Sequence, residues 1–394
     1  MYGFGVLAVL GLTYIMGKNI EEKTGKANTE ENRQFRILSA LGITFVVAGH
    51  LGYGVFDMGG LFPYYSFHVF IFLFVSGYFY KDEAEKNIGR YIWKKCTVLL
   101  FPYFLWNLFY GILAQILHKA GVSLGESLSL KTLFLSPFLG GHQFLYNFSA
   151  WFVPALFLVE VINVLMRKVL GILHLKREWL IFICSLILGM ATIQLAIGGH
   201  VWGNYKFPGR ILLMFPGFQM GRIYKEKIES HDTLPNGIYF LLVIGVQVLI
   251  SIFNAGLAFG VVWVTSFANG FVIPYLTVAT GIAFWLRIAR IMSENPVVSA
   301  KLAVVGRNTF SIMMHHIAVF MLIKGIFYLC SCLTPFCAGF NRESFFHDIN
   351  YIYLAGGTEA GKWIYLLAGM GVPVLIKGGL NRVKAFVRKT VGVF

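Results

Sequence analysis

The sequence predicts an all-α fold, a polytopic helical bundle that crosses a membrane about ten or eleven times. The chain has 394 residues, of which 57% are hydrophobic and only 13% are charged. Soluble domains carry about 25% charged residues, roughly twice this share. The mean hydropathy is +0.70. Apolar runs long enough to cross a bilayer recur from one end of the chain to the other, and no polar block is large enough to form a soluble domain.

The predicted spans follow the order of these apolar runs. They lie near 2–17, 37–56, 62–80, 97–117, 149–166, 179–198, 208–222, 236–255, 259–286, 303–330 and 363–380. The short run at 208–222 contains Arg210 and Pro216, so we expect it to be tilted, broken or partly re-entrant. We expect residues 1–35 to form an extra N-terminal span with a cytoplasmic loop, and residues 36–394 to form one membrane domain.

Lys and Arg concentrate in the segments that follow every second predicted span, such as 18–36 and 81–95. The opposite loops, such as 56–62 and 256–258, hold none. Positively charged loops stay on the cytoplasmic side, which places the N-terminus outside and the C-terminus in the cytoplasm. This pattern also accounts for the net charge of +15, so we expect contact with membrane lipids and no nucleic-acid partner.

Three predicted spans carry a histidine at a similar depth, in the outer half of the membrane. The distance of each histidine from the cytoplasmic end of its own span, measured along the helix, is roughly 21 Å for His50, 18 Å for His68 and 20 Å for His316. Ionisable groups inside a bilayer are costly and often mark a functional site. We therefore expect a shared site, although each histidine could instead make a single hydrogen bond between helices. No carboxylate lies at that depth in the same spans, so no metal site is expected.

Other polar residues in the spans have simpler interpretations. Glu160 lies toward the cytoplasmic half of its span, and we expect it to form a structural pair with a basic neighbour. Trp151, at the outer end of the same span, is typical of the aromatic belt when taken alone. Arg210 could extend its head group to the interface or line a pocket, and both alternatives stay open. Of the five cysteines, Cys330, Cys332 and Cys337 cluster near one loop, where one disulfide is possible.

Five motifs in a fixed order point to a known family. They are "ILSALGITFVVAGH", "FHVFIFLFVSGYF", "LLFPYFLWNL", "AWFVPALF" and "GRNTFSIMMHHI". The sequence resembles the acyltransferase 3 family of integral-membrane O-acyltransferases, closest to its bacterial polysaccharide O-acetylase branch. Three features depart from that pattern. Ser39 stands where the family has Arg or Lys, with Arg36 one turn earlier. Phe70 replaces a proline, and the span at 2–17 is an addition to the family's ten.

The resemblance implies transfer of an acetyl group from cytoplasmic acetyl-CoA to a hydroxyl of a cell-surface or lipid-linked glycan, in a bacterial plasma membrane. Acetyl-CoA is then a substrate, and no bound cofactor is expected. His50 corresponds to the family's essential histidine and would act as the general base, while His68 or His316 would orient it or stabilise the oxyanion. The alternative is a different class of protein, a glycan transporter or flippase without covalent chemistry, which would neither hydrolyse acetyl-CoA nor transfer its acetyl group.

Further residues are expected to hold the two substrates. The candidates for binding the acyl-CoA, near the cytoplasmic side, are Arg36, Ser76, Arg90, Lys94 and Lys95. The candidates for binding the acceptor are Trp151 and Arg210. The loop 334–362 lacks a basic excess and is rich in Tyr, Phe and Asn. We expect it to face outside and to form part of a lid over the acceptor site.

Overall fold

A computed structural model describes residues 32–52, 55–56, 58–337 and 339–391, with side chains as far as residue 382. The predicted span at 2–17 lies outside these residues. The main helices are α1 (Arg33–Gly49), α2 (His68–Tyr78), α3 (Ile88–Lys95), α4 (Phe101–Lys119), α5 (Phe152–Ile172), α6 (Glu178–Ile197), α7 (Lys206–Ile223), α8 (Asn236–Phe253), α9 (Ile273–Glu294), α10 (Pro296–Arg307), α11 (Thr309–Leu333) and α12 (Lys362–Val391). A π-helical segment joins α3 to α4, and short helices at Ser136–Leu139 and Arg342–His347 lie between the longer ones.

The fold class predicted from the sequence is confirmed. Seven helical stretches in the described part of the chain are long and apolar enough to cross a membrane, and α2 is a shorter apolar helix. Among the same residues there is no strand, only an isolated bridge between Gly260 and Thr265. Where the structure describes them, the five cysteines are free thiols.

The helices α1 and α2 are mostly buried and pack against each other. On α1 the buried positions recur along the helix, and Asn32 begins it by accepting a hydrogen bond from the Phe35 backbone N–H. The helices α2 and α7 cross at very short range. A Cβ at Gly77 would lie 1.8 Å from the Phe218 carbonyl oxygen, and one at Gly221 would lie 1.9 Å from that of Phe74. Only glycine permits this backbone contact, which explains the glycines at positions 77 and 221.

One predicted span begins in the wrong place. The apolar run at 259–286 was expected to form a single span, but residues 254–272 form a loop and α9 begins at Ile273. The loop folds back on itself, with paired backbone hydrogen bonds between Gly260 and Thr265. Five of its apolar side chains are buried in the protein, so hydropathy alone could not distinguish this run from a span; they are Leu257, Phe259, Val261, Val264 and Phe267.

The predicted span at 303–330 is two helices. α10 ends at Arg307, and α11 begins at Thr309 after a break at Asn308. α10 crosses α1 where a Cβ at Gly306 would lie 2.2 Å from the Arg36 carbonyl oxygen. This close packing places the start of α11 next to α1, and thereby places the histidines of the two helices near each other.

Candidate functional site

A cavity of about 510 Å³ opens at the end of the bundle where α1 ends and α2 begins. Side chains of α1 and α2 form one wall, and the segments before α5 and α9 form the other. The residues that line it are Val46, His50, Tyr65, His68, Val69, Phe72, His142, Leu145, Phe148, Ser149, Trp151, Phe152, Phe259, Gly260, Val261, Val262, Trp263, Met313, Ile349 and Asn350. The wall is mostly apolar and aromatic, with a few polar groups, as is usual for a small-molecule site.

The structure brings the three predicted histidines together at this cavity. The rings of His50 and His316 have their centroids 5.2 Å apart. His50 and His68 both line the wall, whereas His316 is fully buried behind it. Tyr65 connects His68 with the residue that precedes His50. Its hydroxyl donates to the Gly49 carbonyl oxygen at 2.7 Å, and its ring centroid lies 5.1 Å from that of His68. The end of α1 is thus fixed against the start of α2.

Backbone contacts determine which ring nitrogen of two histidines carries a hydrogen. The His68 Nδ1 lies 2.5 Å from the Tyr64 carbonyl oxygen, and the His316 Nδ1 lies 2.7 Å from that of Ile312. A carbonyl oxygen only accepts, so each Nδ1 donates. In the neutral imidazole the Nε2 is then a lone-pair acceptor. Within the described chain the His316 Nε2 is buried and has no hydrogen-bond partner.

A fourth histidine, His142, lines the cavity and was missed by the sequence reasoning. Its ring stacks on Trp263, with centroids 4.6 Å apart, and on Phe148 at 5.5 Å. Burial lowers the pKa of the His142 imidazole to about 4, so it is neutral at physiological pH. Because His142 lies in a connecting segment, the rule that singled out histidines within spans did not apply to it.

The two residues predicted to bind an acceptor are in contact with each other at the cavity. Trp151 is only 8% exposed and lines the wall, so it is not an aromatic-belt residue. Arg210 is 2% exposed and does not extend to the interface. Its guanidinium lies over the Trp151 ring at 4.8 Å and donates to the carbonyl oxygens of Val262 and Gly140. Arg210 therefore holds two of the segments that form the cavity.

A buried lysine holds another part of the wall. Lys324 of α11 is fully buried, and its Nζ donates to the Ile349 carbonyl oxygen at 2.8 Å. Ile349 and Asn350 line the cavity and belong to the loop 334–362 that we expected to form a lid. The sequence reasoning named the loop but overlooked the lysine, which stands within an apolar run and could have been recognised by that placement.

The residues predicted to bind acyl-CoA lie outside the cavity wall. Arg90 and Lys94 are exposed on one face of α3. Lys95 is turned inward, and its Nζ lies 2.7 Å from the Glu160 carboxylate of α5. The structural pair predicted for Glu160 is therefore present. Ser76 of α2 lies near the same carboxylate.

At the start of α1, the two residues compared in the family motif have different surroundings. Arg36 is exposed, close enough to Lys377 of α12 for their charges to interact. Ser39 is buried and its hydroxyl donates to the Phe35 carbonyl oxygen at 2.8 Å. Arg36 thus adds a positive charge at this end of α1, one turn before the position where the family carries one.

Several arginines that mark the positive side of the bundle are buried in ion pairs. Arg167 makes two 2.8 Å contacts with Glu178, and Arg222 lies 2.9 Å from Asp82. Arg287 pairs with a carboxylate in the same way. No cluster of His, Cys, Asp and Glu within the described ranges has an arrangement that could hold a metal ion.

The described chain is thus a bundle of apolar helices around a histidine-lined cavity. A family model described as an acyltransferase domain matches residues 33–375. The match covers most of the chain, so the protein belongs to this family, the acyltransferase 3 family indicated by the five motifs, and is a membrane acyltransferase. No curated protein and no solved structure matches the chain significantly.

Proposed function

We propose that the protein is an O-acetyltransferase that moves an acetyl group from acetyl-CoA to a hydroxyl of a cell-surface or lipid-linked glycan. The observation that carries this proposal is the cavity of about 510 Å³ with His50 and His68 in its wall and His316 against His50. The proposal places the protein in a bacterial plasma membrane, with the C-terminus in the cytoplasm. The basic segments lie on the cytoplasmic side.

The reaction needs a base, because a sugar hydroxyl is a weak nucleophile. In the proposed step, one nitrogen of His50 takes the hydroxyl proton as the oxygen attacks the thioester carbonyl carbon. The carbon–sulfur bond then breaks, and the new ester forms. The proton moves from His50 to the CoA thiolate, which leaves as the thiol. Imidazole suits this exchange because its ordinary pKa lies near neutrality.

The hydrogen positions support an orienting role for the other two histidines. The His316 Nε2 lone pair has no partner among the described residues, and the His50 ring is the neighbour that could donate to it. Such a bond would fix the His50 tautomer and leave its other nitrogen free as the base. The neutral His68 also offers a lone pair at Nε2, which suits the acceptance of a sugar hydroxyl. Neither neutral ring offers a donor for the oxyanion, so we assign both an orienting role.

Acetyl-CoA would approach from the opposite end of the bundle. Arg90 and Lys94 project from α3 as exposed cations and suit the CoA phosphates, and Arg36 adds a charge at the start of α1. Ser76 lies about 12 Å from His68 along α2, between this basic end and the cavity. The acyl group would then travel along α2 to reach His50. The expected glycan partner enters at the outer mouth.

Acetyl transfer by the purified protein tests the proposal. Protein in detergent is given acetyl-CoA labelled in the acetyl group and glycan isolated from the host, and label in the glycan is measured. His50→Ala should lower the transfer rate by about 100-fold or more, as loss of a general base does. The matched control is His315→Gln, because His315 lies beside His316 but bonds to Tyr110 on the other side of α11.

Two results would overturn the proposal. One is near wild-type turnover of His50→Ala. The other is movement of glycan across the membrane of a vesicle with no consumption of acetyl-CoA, which would identify a transporter. Mass analysis of surface glycans from cells with and without the gene then identifies the acceptor, through an acetyl increment that is present only when the gene is present.

A further inference from the structure

Two cations at the outer mouth of the cavity have no carboxylate partner among the described residues. Lys206 and Arg210 lie one turn apart on α7, near enough for their charges to interact. The partners of Arg210 are two carbonyl oxygens and the Trp151 ring, all of them neutral. The Lys206 Nζ lies 3.9 Å from the centroid of the Trp263 ring and 4.8 Å from that of Trp202.

Elsewhere the same chain pairs its buried arginines with acids. Arg167, Arg222 and Arg287 contact Glu178, Asp82 and Asp232, respectively. Arg210 is as deeply buried as these arginines, yet its hydrogen bonds go only to carbonyl oxygens. A buried charge without a counter-charge is costly, and two like charges one turn apart add repulsion. Arg210 is thus an exception among the buried arginines of the described chain, and its charge is open to an anion from outside that chain.

The position of the two cations connects them to the cavity. Trp263 and Val262 line the wall, and these are the residues that contact Lys206 and accept from Arg210. The Nη1 of Arg210 makes no hydrogen bond to any described residue, since the bonds use Nε and Nη2.

We propose that this mouth is an anion-binding subsite that holds a carboxylate or phosphate group of the acceptor glycan. The inference rests on the proposed function and deepens it, because it makes an acidic glycan the substrate class. Lys206 supplies a charge held in place by two indole rings, and Arg210 supplies a second charge and a free donor. The neutral His142 ring stacks on Trp263, so His142 and Lys206 together hold this indole in place beside the subsite.

Binding is measured first, without any acetyl donor. The thermal unfolding midpoint of the protein in a neutral detergent is compared with glucuronate, inorganic phosphate or glucose at equal ionic strength. We expect glucuronate or phosphate to raise the midpoint and glucose to leave it unchanged. Lys206→Gln should abolish the rise and Lys206→Arg should retain it. The control is Lys119→Gln, because Lys119 is an exposed lysine at the end of α4.

An anionic lipid head group could supply the same chemistry, and a second arm distinguishes the two sources. The protein is placed in nanodiscs of phosphatidylcholine alone or with phosphatidylglycerol. A stabilisation that depends on phosphatidylglycerol and on Lys206, with no response to glucuronate, would overturn the assignment to the acceptor. A response to glucuronate in phosphatidylcholine alone supports it.

Transfer kinetics complete the test. An acidic oligosaccharide is compared with the same oligosaccharide after reduction of its carboxyl groups. Lys206→Gln should raise KM for the acidic form by about tenfold, the size of one charged contact, and leave KM for the reduced form unchanged. Equal effects on both forms overturn the inference. If the protein transfers acetyl groups to neutral glycans and does not respond to anions, the anion subsite is overturned and the proposed function stands. If it binds anions but transfers no acetyl group, the proposed function is overturned and the anion binding stands.

Discussion

The replacement Gly77→Ala tests the crossing of α2 and α7, on which the geometry of the site depends. An alanine Cβ at this position would lie 1.8 Å from the Phe218 carbonyl oxygen and 2.8 Å from the carbonyl carbon. A carbon–oxygen contact needs about 3.3 Å. The two backbones must therefore separate by about 1.5 Å, because no side chain stands between them that could rotate away.

The cost follows from what this separation loosens. A gap of 0.5–1 Å removes about a quarter to a half of the dispersion energy of each contact. The side chains along the crossing, among them Phe70, Leu73 and Phe74 of α2 and Phe218 of α7, are almost fully buried. Overpacked cores lose about 1–3 kcal/mol when side chains can adjust. Since the obstacle here is backbone, we expect the upper end, about 3 kcal/mol of unfolding free energy.

The measurement is unfolding in mixed micelles with increasing SDS, followed by circular dichroism. The matched control is Gly245→Ala on α8, where an added Cβ meets nothing within 4 Å. The control should lose no stability and gain up to about 1 kcal/mol from helix propensity. Surface substitutions usually change the unfolding free energy by up to about 0.5 kcal/mol. If the unfolding free energies of Gly77→Ala and Gly245→Ala differ by less than this, the helices do not cross as closely as the structure shows.

Three further predictions, which rest on the proposed function and topology, concern the basic end of the bundle and the loop 334–362. Reversing Arg90 and Lys94 to Glu should raise KM for acetyl-CoA more than it lowers kcat, because CoA phosphates lose two exposed cations; an unchanged KM would leave both residues as topology signals. Lys95→Met should instead lower the unfolding free energy by about 2–3 kcal/mol with little change in KM, because it leaves the Glu160 carboxylate buried and unpaired. In an SDS titration, a loss of unfolding free energy smaller than that of the Arg90 and Lys94 double variant would contradict this. A cysteine at Ser344, in a background without the native cysteines, should react with an impermeant thiol reagent on intact cells; labelling only after lysis would invert the topology. Acceptor glycan should slow that labelling if the loop is a lid.

The sequence predicted the helical class and the meeting of three histidines because both depend on distance along a helix. A rise of 1.5 Å per residue converts the positions of His50, His68 and His316 into depth without any knowledge of packing. Depth alone did not show that His316 would lie behind His50 and not in the wall. That arrangement depends on the break at Asn308 and on the crossing of α10 with α1, both of which are tertiary features.

The loops of the cavity could not be predicted in the same way. The run that contains Phe259 and Trp263 is apolar enough to be taken for a span, and only its burial against the bundle explains why it forms a loop. His142 is in a connecting segment whose composition carries no periodic signal. Likewise, helical spacing places Lys94 and Lys95 on neighbouring faces of α3, but only the position of Glu160 shows which of them turns inward.

Arg210 and Lys324 show how the rule about charges in a bilayer applies in this protein. Both are buried, and both donate hydrogen bonds to carbonyl oxygens of segments that connect helices. Arg210 donates to Val262 and Gly140, and Lys324 donates to Ile349. A loop at membrane depth has backbone groups that lipid cannot satisfy, so a buried cation on a neighbouring helix can stabilise a shape that the loop alone would not keep. The helices therefore determine where the histidines stand, and these two cations hold the loops that enclose them. Both buried cations lie beside the candidate site, and the hydrogen bonds that they make in the structure go to the loops of its wall.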